Sequence, residues 1–216
     1  METHTVELLE KKELTNDVVE LTLSRPQSFS FKAGQFISLH IHVGDDSRWK
    51  PYSVYSSPTQ KTLSLCIKIV PGGFASSHFS VVEPGHTYTM RGPFGQFQIN
   101  KNTKKHVFIS TGTGIAPLNS MIETISPKHE KTLLHGVRKK EDLLKPEEYE
   151  EMDIDYIPVL SREDWEGKTG YVQEYIPIQE ETTYYICGLK DLVLETEKLL
   201  LNKGISDKHI KYERYS

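Results

Sequence analysis

The chain has 216 residues, 37% of them hydrophobic and 26% charged, with a formal net charge of −4. That length suits one large domain or two of roughly 100 residues each, and the mild negative charge argues against grip on nucleic acid through bulk positive charge. No apolar run approaches the roughly 18 residues a membrane span needs, and the two cysteines, Cys66 and Cys187, cannot alone build a structural zinc site or hold an iron–sulfur cluster. The opening residues lack the basic-then-apolar pattern of a signal peptide. A reduced, cytoplasmic chain is the simpler expectation, with one disulfide as the alternative.

Strands are expected over 6–9, 18–24, 35–43, 49–54, 62–69 and 88–92, punctuated by Gly, Pro and Asp pairs. The alternation Ile37, Leu39, Ile41, Val43 and the even spacing of strands predict a closed antiparallel barrel. One helix interrupts it, over 75–82. Two pieces of this half carry chemistry. The run from Lys50 to Pro58 sets a cation, aromatic rings and hydroxyls side by side; it reads either as a ligand face or as an edge strand with surface serines. The run from Val70 to His78 feeds a glycine pair into a helix. That is either an ordinary capped helix or a phosphate cradle of backbone N–H groups and helix dipole.

The polar stretch from Asn100 to Lys105 marks a boundary, giving domains 1–102 and 103–216. Beyond it strands are expected over 107–110, 132–137, 155–160, 183–187 and 210–213, alternating with helices near 116–125, 143–152, 172–175 and 191–202. Such alternation predicts an α/β parallel sheet covered on both faces, with ligands at the carboxyl ends of its strands. The first strand of this half runs straight into Thr111-Gly112-Thr113-Gly114, with Pro117 where the third glycine of G-x-G-x-x-G would stand. Glycines here either let backbone N–H groups close on an anion or simply make a tight strand-to-helix turn.

These residues together resemble the ferredoxin–NADP reductase superfamily. Lys50-x-Tyr52-Ser53-x-x-Ser56 is similar to its R-x-Y-[ST]-x-x-S flavin motif, and Leu65-Cys66-Ile67-Lys68, Gly73-Phe74-Ala75-Ser76 and Gly92-Pro93-Phe94-Gly95 follow in the family's order. The resemblance implies a flavin-binding barrel and a nucleotide-binding α/β domain, FAD and NADP(H) as cofactors, and hydride transfer at flavin N5. Lys50, Pro51, Tyr52, Ser53, Cys66, Ile67, Lys68, Gly73, Phe74, Ala75, Ser76 and Thr113 would serve FAD. Tyr52 would pack on the ring, Ser53 would lie near N5, and the helix start at Ser76 would hold the pyrophosphate. The family's arginine is Lys50 here, lacking the planar fork; Arg48, two residues earlier, is a candidate to compensate. Tyr55 replaces a small residue, and the connection at Val70-Pro71 is short, leaving few residues over the adenosine half.

For NADP(H) the resemblance implies Thr111, Gly112, Gly114, Arg138, Ser161, Arg162, Lys168, Tyr171, Cys187, Gly188 and Leu189. Ser161 and Arg162 after a strand suit the 2′-phosphate, though Arg162 could equally pair with Glu163 or Asp164, and Tyr171 would stack on adenine. Cys187, by itself more often buried filler than a nucleophile, would flank the hydride path as a positioning group. Glu213 and Tyr215 match a terminal acid and aromatic, the latter penultimate because Ser216 follows. Ser53, Cys187, Glu213 and Tyr215 are thus the catalytic expectations. Electrons would leave singly to ferredoxin or flavodoxin. Lys101, Lys104 and Lys105 could form a basic patch for such acidic partners or merely a solvated linker. The alternatives are a free-flavin reductase and an electron-transfer subunit of a larger complex.

Overall fold

A computed structural model describes residues 2–215; Met1 and Ser216, which follows Tyr215, lie outside the described residues. Contacts divide the chain into two units, one of residues up to Gln98 with Asn119–Thr124, the other of Ile99–Leu118 and Ile125 onward.

The first unit contains β1 (Thr3–Thr15), β2 (Val18–Ser24), β3 (Phe36–Val43), β4 (Asp46–Ser53), β5 (Thr62–Lys68), α1 (Phe74–Val81) and β6 (Thr87–Phe94). All pairings are antiparallel, in the order β4-β3-β6-β1-β2-β5. An antiparallel bridge between Val54 and Leu65 joins the two outer strands, so the sheet closes on itself. Closure removes the unpaired edges an open sheet would leave. β1 pairs with β6 through Thr3–Glu7 and with β2 from Leu8 onward; a register shift after Leu8 bends it from one partner to the other. Ile37, Leu39 and Ile41 are fully buried and face Val6, Leu21, Leu65 and Met90 in one core. Each such side chain stabilises the barrel by about 1.5–3 kcal/mol.

One strand differs from expectation. β4 starts at Asp46, three residues before the expected 49, because Gly44 turns the chain at φ +57 and only Gly44 and Asp45 separate β3 from β4. Asp46, Ser47 and Arg48 carry no apolar alternation, so nothing but the turn geometry reveals them as strand.

The second unit contains β7 (Lys105–Thr111), α2 (Ile115–Thr124, whose last six residues group with the first unit), β8 (Glu130–Val137), α3 (Pro146–Glu151), β9 (Asp155–Leu160), β10 (Lys168–Thr169), β11 (Thr182–Leu189), α4 (Lys190–Asn202) and β12 (Ile210–Tyr215). Every pairing is parallel, in the order β10-β9-β8-β7-β11-β12. The chain winds outward one way from β7 through β8 and β9, then returns to the other side of β7 as β11. This reversal makes a crevice at the carboxyl ends of β7 and β11. Residues of both sheet faces are buried: Phe108 and Tyr185 on one, Ile109 and Ile186 on the other, the latter packed on Leu192, Val193 and Leu200 of α4.

The helix expected over 143–152 is only α3. Leu143 is extended, Lys145 sits at φ +50, and Pro146 supplies the first helical turn. A residue before proline resists the helical region, so α3 can begin no earlier. The helix expected over 172–175 is a single 3-10 turn, and the two-residue β10 is too short to leave a sequence signal. Among the described residues no helix is long and apolar enough to cross a membrane. Both cysteines are buried free thiols.

Candidate functional site

Two candidate sites emerge, one in each unit. In the barrel, the register pairs Arg48, Lys50 and Tyr52 with Ile41, Leu39 and Ile37, so the three side chains share one face of β4, while Pro51 and Ser53 lie on the other. The ends of that row reach α1. The Tyr52 ring meets Phe79 edge-on at 5.5 Å, and the Arg48 guanidinium lies 4.4 Å over the Phe74 ring while Nε and Nη2 donate to Asp46 Oδ2. Lys50 stands between them. Burial pushes the Tyr52 hydroxyl far above its ordinary range, so it stays neutral. Ser53 is buried at the strand's end.

α1 begins on a pair of glycines. Gly72 adopts φ +73 with open space beside it, and a Cβ on Gly73 would come within 3.0 Å of Ser76 Oγ and 3.1 Å of the Val70 carbonyl. No side chain caps this helix, so its first N–H groups are left for something else. Ser76 is buried and its Oγ accepts the Val70 N–H at 2.9 Å, which folds the turn back on itself. What this start offers an anion is therefore backbone N–H and dipole. Phe74 and Ala75 open the helix half-buried. Of the β5 residues, Cys66 and Ile67 are buried, whereas Lys68 is exposed and ion-paired with Asp17. In this same unit Ser120 Oγ donates to the Ser56 carbonyl at 2.8 Å and Asn119 Nδ2 to the Tyr55 carbonyl at 3.0 Å, pinning the β4 exit. An uncapped helix start beside open space and next to a row of cations and an aromatic ring fits a ligand with a flat ring and a phosphate.

In the parallel sheet, β7 ends at Thr111 and Gly112–Gly114 form one 3-10 turn before α2. Gly112 sits at φ +50 with nothing within 4 Å of where a Cβ would be, leaving its outer side open. Gly114 is the reverse: a Cβ there would lie 2.3 Å from the Cys187 carbonyl oxygen. Thr113 is half-buried between them. Strand register then brings Ser110 of β7 beside Cys187 of β11, and Cys187 beside Glu213 of β12, with Leu189 beside Tyr215. Cys187 is wholly buried. Burial and the Glu213 charge push its thiol well up, against a smaller opposing effect of a hydrogen bond with Tyr215. It is a neutral thiol at physiological pH and no nucleophile. Glu213 and Tyr215 are half-buried around it, and a Cβ on Gly188 would lie 2.8 Å from Thr111 Oγ1, closing β11 onto β7. Leu189 beyond it is 67% exposed.

The remaining residues gather at the ends of β8 and β9. Ser161 Oγ and N–H both donate to the Val137 carbonyl, and the Arg162 N–H donates to the Arg138 carbonyl at 2.9 Å. Arg138, Ser161 and Arg162 thus form one exposed corner. Glu163 accepts the Lys140 N–H at 2.7 Å, and no ion pair of Arg162 occurs among the described residues. Lys168 lies over the Tyr175 ring at 5.1 Å. Tyr171 follows, 69% exposed, its N–H bonded to Glu174 Oε1. Two donors and a bare aromatic face fit a phosphorylated nucleoside. Lys105, by contrast, pairs with Glu130 at 3.7 Å.

His135 of β8 escaped the sequence reading. It extends the row beside Ser110, is wholly buried, and burial holds its pKa down to about 4, partly offset by the bond to the Gly112 carbonyl. A histidine inside the apolar run Leu133-Leu134-His135-Gly136-Val137 was the available signal.

Comparison with known proteins bears on both halves. Residues 5–99 match the oxidoreductase FAD-binding domain family and residues 108–198 the oxidoreductase NAD-binding domain family. The chain is 30% identical to ferredoxin–NADP reductase B of Sorangium cellulosum, covering 96% of each. It is 29% identical to the xylene/toluene monooxygenase electron transfer component XylA of Pseudomonas putida over 95% of this chain, but spans only 63% of that protein's length. Among solved structures, a ferredoxin NADP+ reductase from Neisseria gonorrhoeae with bound FAD and NADP superposes with a TM-score of 0.86 at 26% identity, covering 98% of both chains. With an antiparallel barrel, a parallel nucleotide-type sheet and these matches across nearly its whole length, the chain belongs to the ferredoxin–NADP reductase superfamily.

Proposed function

We propose that this chain is an FAD-dependent reductase passing electrons between NADPH and a one-electron carrier, with FAD on residues 1–102 and the nucleotide on residues 103–216. Tyr52 and Ser53 would flank the flavin ring, with Pro51, Cys66, Ile67 and Lys68 around it. Lys50 and the start of α1 at Gly73–Ser76 would hold its pyrophosphate. FAD, when bound, supplies the conversion between a hydride and single electrons. The protein's share is placement: reacting atoms must come within about 3–3.5 Å.

The observation that carries this reading is the crevice at β7 and β11, where the open Gly112 turn meets the row Cys187–Glu213 with Tyr215 alongside. Thr111, Gly112, Gly114, Gly188 and Leu189 would line the nicotinamide nucleotide there. Cys187 fills space beside the nicotinamide as a neutral thiol, and Glu213 is the group able to hold a proton nearby. Arg138, Ser161, Arg162 and Lys168 would grip the 2′-phosphate, with adenine on Tyr171, which makes NADPH the preferred donor. The carrier would be ferredoxin or flavodoxin. A second reading, an electron-transfer component of a larger oxygenase system, is supported by relatives bearing that name that are longer than this chain.

Purified protein should be yellow with about one FAD per chain and should reduce ferredoxin or flavodoxin with NADPH faster than it reduces free flavin. Colourless protein that reduces added flavin would instead establish a free-flavin reductase. Protein that ignores both nucleotides would end the proposal.

A further inference from the structure

A carbonyl oxygen accepts hydrogen bonds and cannot donate them. His135 Nε2 lies 3.1 Å from the Gly112 carbonyl oxygen, so the imidazole proton sits on Nε2 and Nδ1 is left as an acceptor. Nδ1 has no partner among the described residues, nor has Oγ of the neighbouring Ser110. The buried ring therefore spends its single proton on one task.

That task concerns the orientation of a peptide. The Gly112 carbonyl also accepts the Ile115 N–H that closes the 3-10 turn. In a planar trans peptide the carbonyl of one residue and the N–H of the next point opposite ways. Holding the Gly112 carbonyl against the His135 ring therefore aims the Thr113 N–H away from that ring, at a glycine that has open space beside it. The seat of Gly114 on the Cys187 carbonyl is a steric fit and does not by itself stop the preceding peptide from rotating. A left-handed glycine is the residue most able to flip there.

We propose that His135 is a positioning residue for the nicotinamide nucleotide, aiming the Thr113 N–H at an anionic group of the bound ligand by fixing the Gly112 peptide from beneath. This rests on the nucleotide-binding role proposed for the second unit. Three structural facts align with it: the histidine lies in the strand next to β7, Gly112 is the left-handed glycine of the turn with open space beside it, and the bond spans 23 residues.

The test uses flavin-loaded protein and titration calorimetry with NADP+ and NAD+. His135→Leu should weaken the preferred nucleotide about 3- to 10-fold, the net value of one hydrogen bond. His135→Gln, whose amide reaches the same carbonyl, should stay within about 2-fold of wild type. A merely space-filling role predicts the opposite order. Wild-type affinity in His135→Leu, or Gln as weak as Leu, overturns the proposal. Should the leucine variant not fold, His135→Asn replaces it, since the shorter amide cannot reach. In the wild-type protein, long-range proton–nitrogen spectra should show His135 as the neutral Nε2–H form from pH 5 to 8; the other tautomer also overturns it. Absence of binding by wild-type protein would instead fault the nucleotide reading itself.

Discussion

Replacing Gly114 by alanine isolates how tightly the nucleotide turn is seated on β11. The added carbon would stand 2.3 Å from the Cys187 oxygen, 2.7 Å from the Cys187 carbonyl carbon and 3.0 Å from the Gly188 Cα. All three are backbone atoms, so no flexible side chain can swing away. Relief requires the turn and β11 to separate by about 1 Å, which breaks close packing on both sides, a change of the kind that costs about 1–3 kcal/mol. Gly114 is not in the left-handed region, so alanine should recover up to about 1 kcal/mol from the unfolded chain. Gly112→Ala inverts the terms: space is open but φ is +50, costing about 1–2 kcal/mol from backbone strain alone. Gly114→Ala should therefore lower the unfolding temperature of the second unit by about 2–8 °C and raise the Kd for nucleotide as the crevice widens. Gly112→Ala should lower it by a comparable amount and leave Cys187 as protected as before. Calorimetry paired with nucleotide titration measures both. Full stability and affinity in Gly114→Ala would mean the turn is not packed on Cys187, and the crevice argument would fall with it.

Arg162→Ala should reduce kcat/KM for NADPH about 10- to 100-fold, the value of one or two charge-assisted bonds, with NADH little changed; equal losses with both nucleotides would remove the 2′-phosphate role. His135 and His106 both have pKa values held down to about 4, in each case first by burial. The unfolded chain, with histidines near 6.5, binds more protons between those values, so stability is full above about pH 6.5 and is lost as the pH falls through about 4. For fully buried His135 the loss approaches about 3 kcal/mol, and His135→Gln should flatten that part of the acid-unfolding curve. Iodoacetamide should label neither Cys66 nor Cys187 in folded protein at pH 7.5, since both are buried and the Cys187 thiol is pushed up; rapid labelling of Cys187 would refute its neutral, enclosed state.

The sequence announced the architecture more readily than its limits. Alternation in Ile37, Leu39 and Ile41 marked the barrel because a half-buried strand repeats every two residues. The apolar runs at Val107, Leu133 and Ile186 marked the parallel sheet because its strands are buried on both faces. Elements held by geometry without burial were hidden: the first residues of β4, the two residues of β10 and the delayed start of α3 at Pro146. For the candidate site, short motifs located the turn at Gly112 and the corner at Ser161–Arg162. The register that puts Ser110, Cys187 and Glu213 side by side joins residues 77 and 26 apart, and periodicity within one strand cannot report it.

His135 shows why that hidden part matters. Position along a strand fixes which face a side chain takes, but only the pairing of β8 with β7 sets its ring beneath Gly112. The two glycines of the turn then differ in surroundings: Gly114 is small because β11 is close, and Gly112 has open space beside it, the side the proposed nucleotide would take. Freedom at Gly112 would be a liability without a fixed donor below it, since a peptide that flips presents a carbonyl to an anion. A buried neutral histidine, unable to lose its one donor to solvent, removes that freedom without filling the open side. The glycine motif and the histidine are thus two parts of one device, legible only when the sheet is assembled.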